Sequence, residues 1–100
     1  MEQNPKFAIV LSGCGRADGS EIHEATCAML AIDCLGSSYQ CFAPNIAQAA
    51  VVNHLKGNIE PEKRNVLTES ARLARGNILD LNEYKPEDFD AIVFPGGLGA

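Results

Sequence analysis

One hundred residues, 46% of them apolar, make a single domain at most, and a folded chain of that size buries ~65% of the surface it exposes when unfolded. Eight Lys and Arg against thirteen Asp and Glu leave a net charge of −5. The charged fraction of 21% excludes a disordered chain, and the acidic balance without any Lys/Arg cluster excludes nucleic acid or an anionic membrane as the main partner.

Phe7–Leu11 is apolar at every position, which predicts a strand buried on both faces, as in a parallel sheet. Ser12-Gly13-Cys14-Gly15 ends it. Asp18-Gly19-Ser20 then offers helix-capping side chains, with Glu21 in the first turn, where the helix dipole favours an acid. The helix runs to about Leu35 and stops at Gly36. Its middle, Ala25–Ile32, is apolar nearly all round, which predicts packing on more than one side. Tyr39–Ala43 is a second strand, stopped by Pro44. Within Ile46–Asn58, Val51-Val52 and Leu55 fit a short strand or a helix, and the strand is the favoured reading. Asn65 caps a second helix that carries Arg72 and Arg75 in its last turn and closes at Gly76. Ile78–Leu81 is a minor strand, Pro86–Asp90 a turn, and Ala91–Phe94 a last strand that runs straight into Pro95-Gly96-Gly97-Leu98-Gly99-Ala100.

Alternating strands and helices predict an α/β domain with a mainly parallel sheet. Ligands in such sheets bind beyond the carboxyl ends of the strands, where both glycine-rich segments fall. The last strand has no helix after it within these residues, so 1–100 reads as the N-terminal part of one longer domain. The longest apolar run, Cys27–Ile32, is far below the ~20 residues needed to cross a bilayer, and Met1–Lys6 does not resemble a targeting segment. The expected setting is cytoplasmic. There the four cysteines are expected as free thiols, most of them small core residues. Cys27 and Cys34 share a helix face but lie about 10 Å apart along the axis, too far to bridge. His23 and His54 have no zinc-site spacing to any cysteine, so no metal is expected.

Four places carry candidate chemistry. Gly13-x-Gly15 begins a dinucleotide fingerprint but has Asp18 where the third glycine belongs, so no nucleotide cofactor is expected. Cys14 in that turn reads as a nucleophile, an oxidation-sensitive thiol or, more simply, a small residue in a crowded corner. Glu24 stands one helical turn in, at the entrance to the apolar segment. It is either a solvated acid of the helix start or a half-buried carboxylate able to hold and release a proton. Gly96-Gly97 is a bare corner whose amides can point at an oxyanion, or simply a sharp exit turn.

The motifs LSGCG, DGSEIHEA, CFAP, VVNHLKG, RNVLTESARLARG and FPGGLGA, in this order and spacing, resemble the ElbB family. This is the isoprenoid-biosynthesis-associated, glyoxalase-like branch of the PfpI and class I glutamine amidotransferase-like superfamily, and the resemblance runs from Phe7 to the last residue. It implies a flavodoxin-like three-layer sandwich, with Phe7–Leu11 between Tyr39–Ala43 and Ala91–Phe94 and all three parallel. It further implies a cofactor-independent lyase or hydrolase that converts a small dicarbonyl, glyoxal, to glycolate through a cysteine beyond Ala100, in a homodimer. Glu24 matches the superfamily's cysteine-tuning glutamate, and Gly96 and Gly97 match its oxyanion loop. None of this chain's cysteines matches the nucleophile. A redox-sensing or regulatory protein of the same fold, with Cys14 as its thiol, and an amidase or glutaminase are the alternatives.

Overall fold

A computed structural model describes residues 4–100. Strand β1 (Lys6–Val10) feeds through the glycine loop into helix α1 (Ile22–Cys34) and then strand β2 (Ser38–Ala43). A two-stranded antiparallel hairpin, β3 (Val51–Val52) and β4 (Ile59–Glu60), precedes helix α2 (Val66–Ala74), strand β5 (Ile78–Asp80), two single 3-10 turns and strand β6 (Ala91–Val93). The main sheet has the order β5-β2-β1-β6. Every pair in it is parallel, with Phe7 opposite Tyr39 on one side and Ala91 on the other. The predicted central place of the first strand is therefore observed. Leu11, predicted to close that strand, lies one residue past it, yet its N–H still donates to the Phe42 carbonyl at 2.8 Å.

Strand alternation sorts the side chains. Ile9, Leu11, Cys41 and Ala43 join Ala25 and Ile32 of α1 and Val66 of α2 in one buried cluster. Phe42 points the opposite way, where Tyr84 and Phe89 from the 3-10 turns meet it edge-on, each at 5.5 Å between ring centres. Edge-to-face pairs of this kind contribute about 0.5–1.5 kcal/mol each beyond their buried area.

Two expectations about α1 need correction. Its N-cap is Glu21, whose carboxylate accepts the Glu24 N–H at 2.7 Å. Ser20 is fully buried, and its hydroxyl accepts the Ser12 N–H at 2.9 Å instead, bracing the glycine loop. The helix also packs on one side only. Ala25 and Ile32 are buried, whereas Leu30 is 60% exposed, because β2 and α2 are the elements it packs on among the described residues. For the same reason only Cys41 of the four thiols is a core residue, and Cys27 and Cys34 are exposed.

In α2 the expected cap is found, with Asn65 Oδ1 accepting the Thr68 N–H at 2.9 Å. The helix ends with Arg75 in the left-handed region, at φ 55°.

Candidate functional site

The carboxyl ends of β1 and β6 are neighbours, so the glycine loop (residues 11–21) and the terminal loop (residues 94–100) meet at one end of the sheet. Three backbone hydrogen bonds lace them together. Glu21 N–H donates to the Gly96 carbonyl at 2.6 Å, Leu98 N–H to the Arg16 carbonyl at 2.9 Å, and Gly99 N–H to the Gly19 carbonyl at 3.1 Å.

This lacing explains the glycines. Gly97 sits at φ 129°, and a Cβ on it would run into the Gly19 carbonyl oxygen and lie 2.6 Å from the Glu21 nitrogen. Only glycine combines that backbone angle with that approach. At Gly96 the neighbour is a side chain: a Cβ there would lie 2.8 Å from Glu24 Oε1 and 3.0 Å from Oε2. Glu24 is held in the first turn of α1, next to its own cap. The N–H groups of Gly96 and Gly97 donate to no backbone carbonyl among the described residues. A carboxylate and two uncommitted amides thus share one corner, the components of a proton shuttle and an anion hole.

Glu24 is exposed, not half-buried as one reading of the sequence expected, even though the terminal loop reaches it at Gly96. Glu21, the neighbouring acid, has a different task. Its acceptance of the Glu24 N–H, more than its contact with His23, holds its carboxyl below the usual glutamate range. His23 is exposed on the surface.

Gly13 and Cys14 lie deeper in the glycine loop. Gly13 N–H donates to the buried Ser70 hydroxyl at 2.9 Å, tying the loop to α2. Cys14 is half-buried, and burial pushes its thiol above the usual range despite the opposing pull of Arg72. The charges it feels are Arg72 and Glu69 of α2, Arg64 just before it, and Asp18 of its own loop. Burial pushes the Cys41 thiol higher still, to about 11. A thiol disfavoured as thiolate is a poor nucleophile.

Sequence reading passed over one pair. Asp18, read as a candidate helix cap and a failed fingerprint position, meets His54 of the β3–β4 turn, and neither residue type at that separation signals the contact. No group of three or more His, Cys, Asp or Glu among the described residues is arranged to hold a metal ion. No helix among them is long and apolar enough to cross a membrane.

A parallel sheet with helices between its strands and two glycine loops meeting at its carboxyl end is a flavodoxin-like architecture. No family model matches the chain. It is 51% identical over 96 residues to human "glutamine amidotransferase-like class 1 domain-containing protein 3, mitochondrial", an alignment covering 95% of this chain and 36% of that protein. It is 41% identical over 103 residues to the zebrafish "ES1 protein, mitochondrial", covering 96% of this chain and 37% of that one. A crystal structure of an isoprenoid biosynthesis protein with amidotransferase-like domain from Ehrlichia chaffeensis superposes with a TM-score of 0.94 at 47% identity. That match covers 96% of this chain and 45% of the other. The chain belongs to this amidotransferase-like, ElbB-like family, and it spans little more than a third of the length of the curated relatives it matches.

Proposed function

We propose that this chain is the N-terminal part of a single amidotransferase-like domain that acts as a cofactor-independent, glyoxalase-like enzyme, with its nucleophilic cysteine supplied by sequence beyond Ala100. The observation that carries this reading is the contact of the Glu24 carboxylate with Gly96, beside amides that have no backbone acceptor. A thiolate adds to one aldehyde carbon of glyoxal, and the carbonyl oxygen becomes an alkoxide that the Gly96 and Gly97 N–H groups stabilise. Protonation gives a hemithioacetal. Glu24 then takes the proton from the carbon bearing sulfur and returns one to the neighbouring carbon. The first carbon is oxidised to a thioester as the second is reduced to an alcohol, so no external redox partner is needed. Water cleaves the thioester to glycolate and regenerates the thiol. Proton transfer of this kind contributes about 10²–10⁴-fold to rate.

Association with isoprenoid biosynthesis is part of the proposal and rests on the name of the Ehrlichia protein. A cytoplasmic location is proposed as well; both curated relatives named above are mitochondrial, and fractionation of cells expressing the full-length protein decides it. The same corner also suits amide hydrolysis, the second reading, since an oxyanion forms there too. Incubating the full-length protein with isotopically labelled glyoxal, and separately with glutamine, distinguishes the two. Glycolate formed without added cofactor supports the first reading. Ammonia from glutamine with no glycolate overturns it.

A further inference from the structure

Asp18 and His54 are not used by the proposed chemistry, yet they are built into its foundations. Asp18 has a carboxylate only 5% exposed with no Lys or Arg ion pair among the described residues, an arrangement that is costly unless its oxygens are occupied. Oδ2 accepts the Val52 N–H at 2.7 Å. Oδ1 lies 3.8 Å from His54 Nε2, longer than a hydrogen bond. The imidazole is committed elsewhere: Nδ1–H donates to the Val52 carbonyl at 3.0 Å, and Nε2 accepts the Ala17 N–H at 3.1 Å. Those two contacts select the neutral ring with its proton on Nδ1. Gly15 lies beneath the pair, and a Cβ on it would be 2.5 Å from Asp18 Oδ1 and 2.9 Å from His54 Cε1.

A second arrangement is one proton away. Once Nε2 carries a proton it can no longer accept the Ala17 N–H, and the Asp18 Oδ1 carboxylate oxygen stands 3.8 Å away as an acceptor. The ring then leaves Ala17 for Asp18. Asp18 is the carboxylate within 4 Å of a ring nitrogen among the described residues. In the glycine loop, Arg16 is exposed and Cys14 feels the Asp18 charge. At the approach to α2, Arg64 feels the same charge and is paired with Glu62 and Glu69. On the hairpin, Glu60 is taken up by the Asn53 and Asn58 side-chain amides, and Lys56 is exposed.

We propose that Asp18 and His54 form a proton-sensitive latch between the β3–β4 hairpin and the glycine loop, acting as positioning residues for Gly96 and Gly97. The path is short and continuous. Arg16, next to Ala17, offers its carbonyl to Leu98, and Gly19, next to Asp18, offers its carbonyl to Gly99. A shift in residues 16–19 therefore moves the loop that carries the oxyanion amides. The effect on turnover rests on the glyoxalase-like reading; the latch itself does not.

The test follows the amide resonances of Ala17 and Leu98 in the full-length protein between about pH 5 and 8, where imidazoles titrate. Both should move with one midpoint in the wild type and stay flat in His54→Gln, which offers an uncharged acceptor and donor. Asp18→Asn, which keeps an acceptor for Val52 but removes the anion that would take up the protonated ring, should weaken the coupled change at Ala17 and Leu98 and serves if His54→Gln fails to fold. In the same window wild-type kcat on glyoxal should fall about fivefold toward acid, the rate equivalent of one hydrogen bond, while His54→Gln stays flat. A flat Ala17 resonance in the wild type, an unchanged titration in both variants, or a Leu98 resonance that does not follow Ala17 overturns the latch. Titrating amides without glyoxal turnover leave the latch standing and remove the glyoxalase reading.

Discussion

The Glu24 carboxylate rests against the α-carbon of Gly96, so close that a methyl group at position 96 would lie 2.8 Å from Oε1. Adding that methyl tests whether the contact matters for chemistry or only for shape. The obstacle is the flexible end of one exposed side chain, which can swing away at little cost. Gly96→Ala in the full-length protein should keep its melting temperature within a few degrees and lose roughly tenfold or more in turnover, by displacing the carboxylate. Equal losses of stability and activity would make Gly96 a packing residue.

Gly97→Ala should behave differently. Its added methyl meets backbone, the Gly19 carbonyl and the Glu21 nitrogen, at a φ of 129° that L-residues rarely adopt. Neither obstacle can rotate away, so destabilisation on the order of 3 kcal/mol is expected from denaturant unfolding. A variant as stable as the wild type would show that the two loops separate easily.

Glu21 makes a prediction about pH. Its folded-state carboxyl is held below the ordinary value of 4.5 by the Glu24 N–H. A depressed carboxyl contributes stability above its unfolded value, and that contribution is lost as pH falls through the folded one. Below about pH 4.5, therefore, the wild type should lose an increment of stability that Glu21→Gln does not lose. Parallel acid-unfolding curves for the two proteins would contradict the cap.

The thiols should divide by exposure and ionisation. Cys41, buried and pushed up to about 11, should resist alkylation until the protein unfolds. Cys14, half-buried and raised, should react slowly near neutral pH. Mass mapping after brief alkylation checks both. Preferential labelling of Cys14 would favour the redox-sensing alternative.

Much of the fold was legible because it is written in short local signals. The continuous apolar run at Phe7–Leu11 and Asn65 before α2 each specify their element nearly alone, whereas Val51-Val52 fits a strand or a helix and only its pairing with Ile59-Glu60 decides between them. What failed were choices between adjacent candidates and judgements of what lies outside the helix. Ser20 is the better cap by propensity, but the loop needs its hydroxyl at Ser12, which leaves the cap to Glu21. The place of Glu24 in the first turn of α1 follows from the helix start, while its degree of burial depends on packing that no local pattern encodes. The Asp18–His54 contact spans a loop and a hairpin, and no local motif announces such a pairing.

The most direct measurement is glyoxal turnover by the full-length protein and its Glu24→Gln and Cys14→Ser variants. Glu24→Gln preserves volume and removes the titratable group, so turnover should fall by at least ~100-fold with the fold intact. Cys14→Ser should retain most of its activity, its thiol being half-buried and disfavoured as thiolate. Near-wild-type turnover in Glu24→Gln together with a dead Cys14→Ser would contradict the assignment and make the glycine-loop thiol the reactive centre.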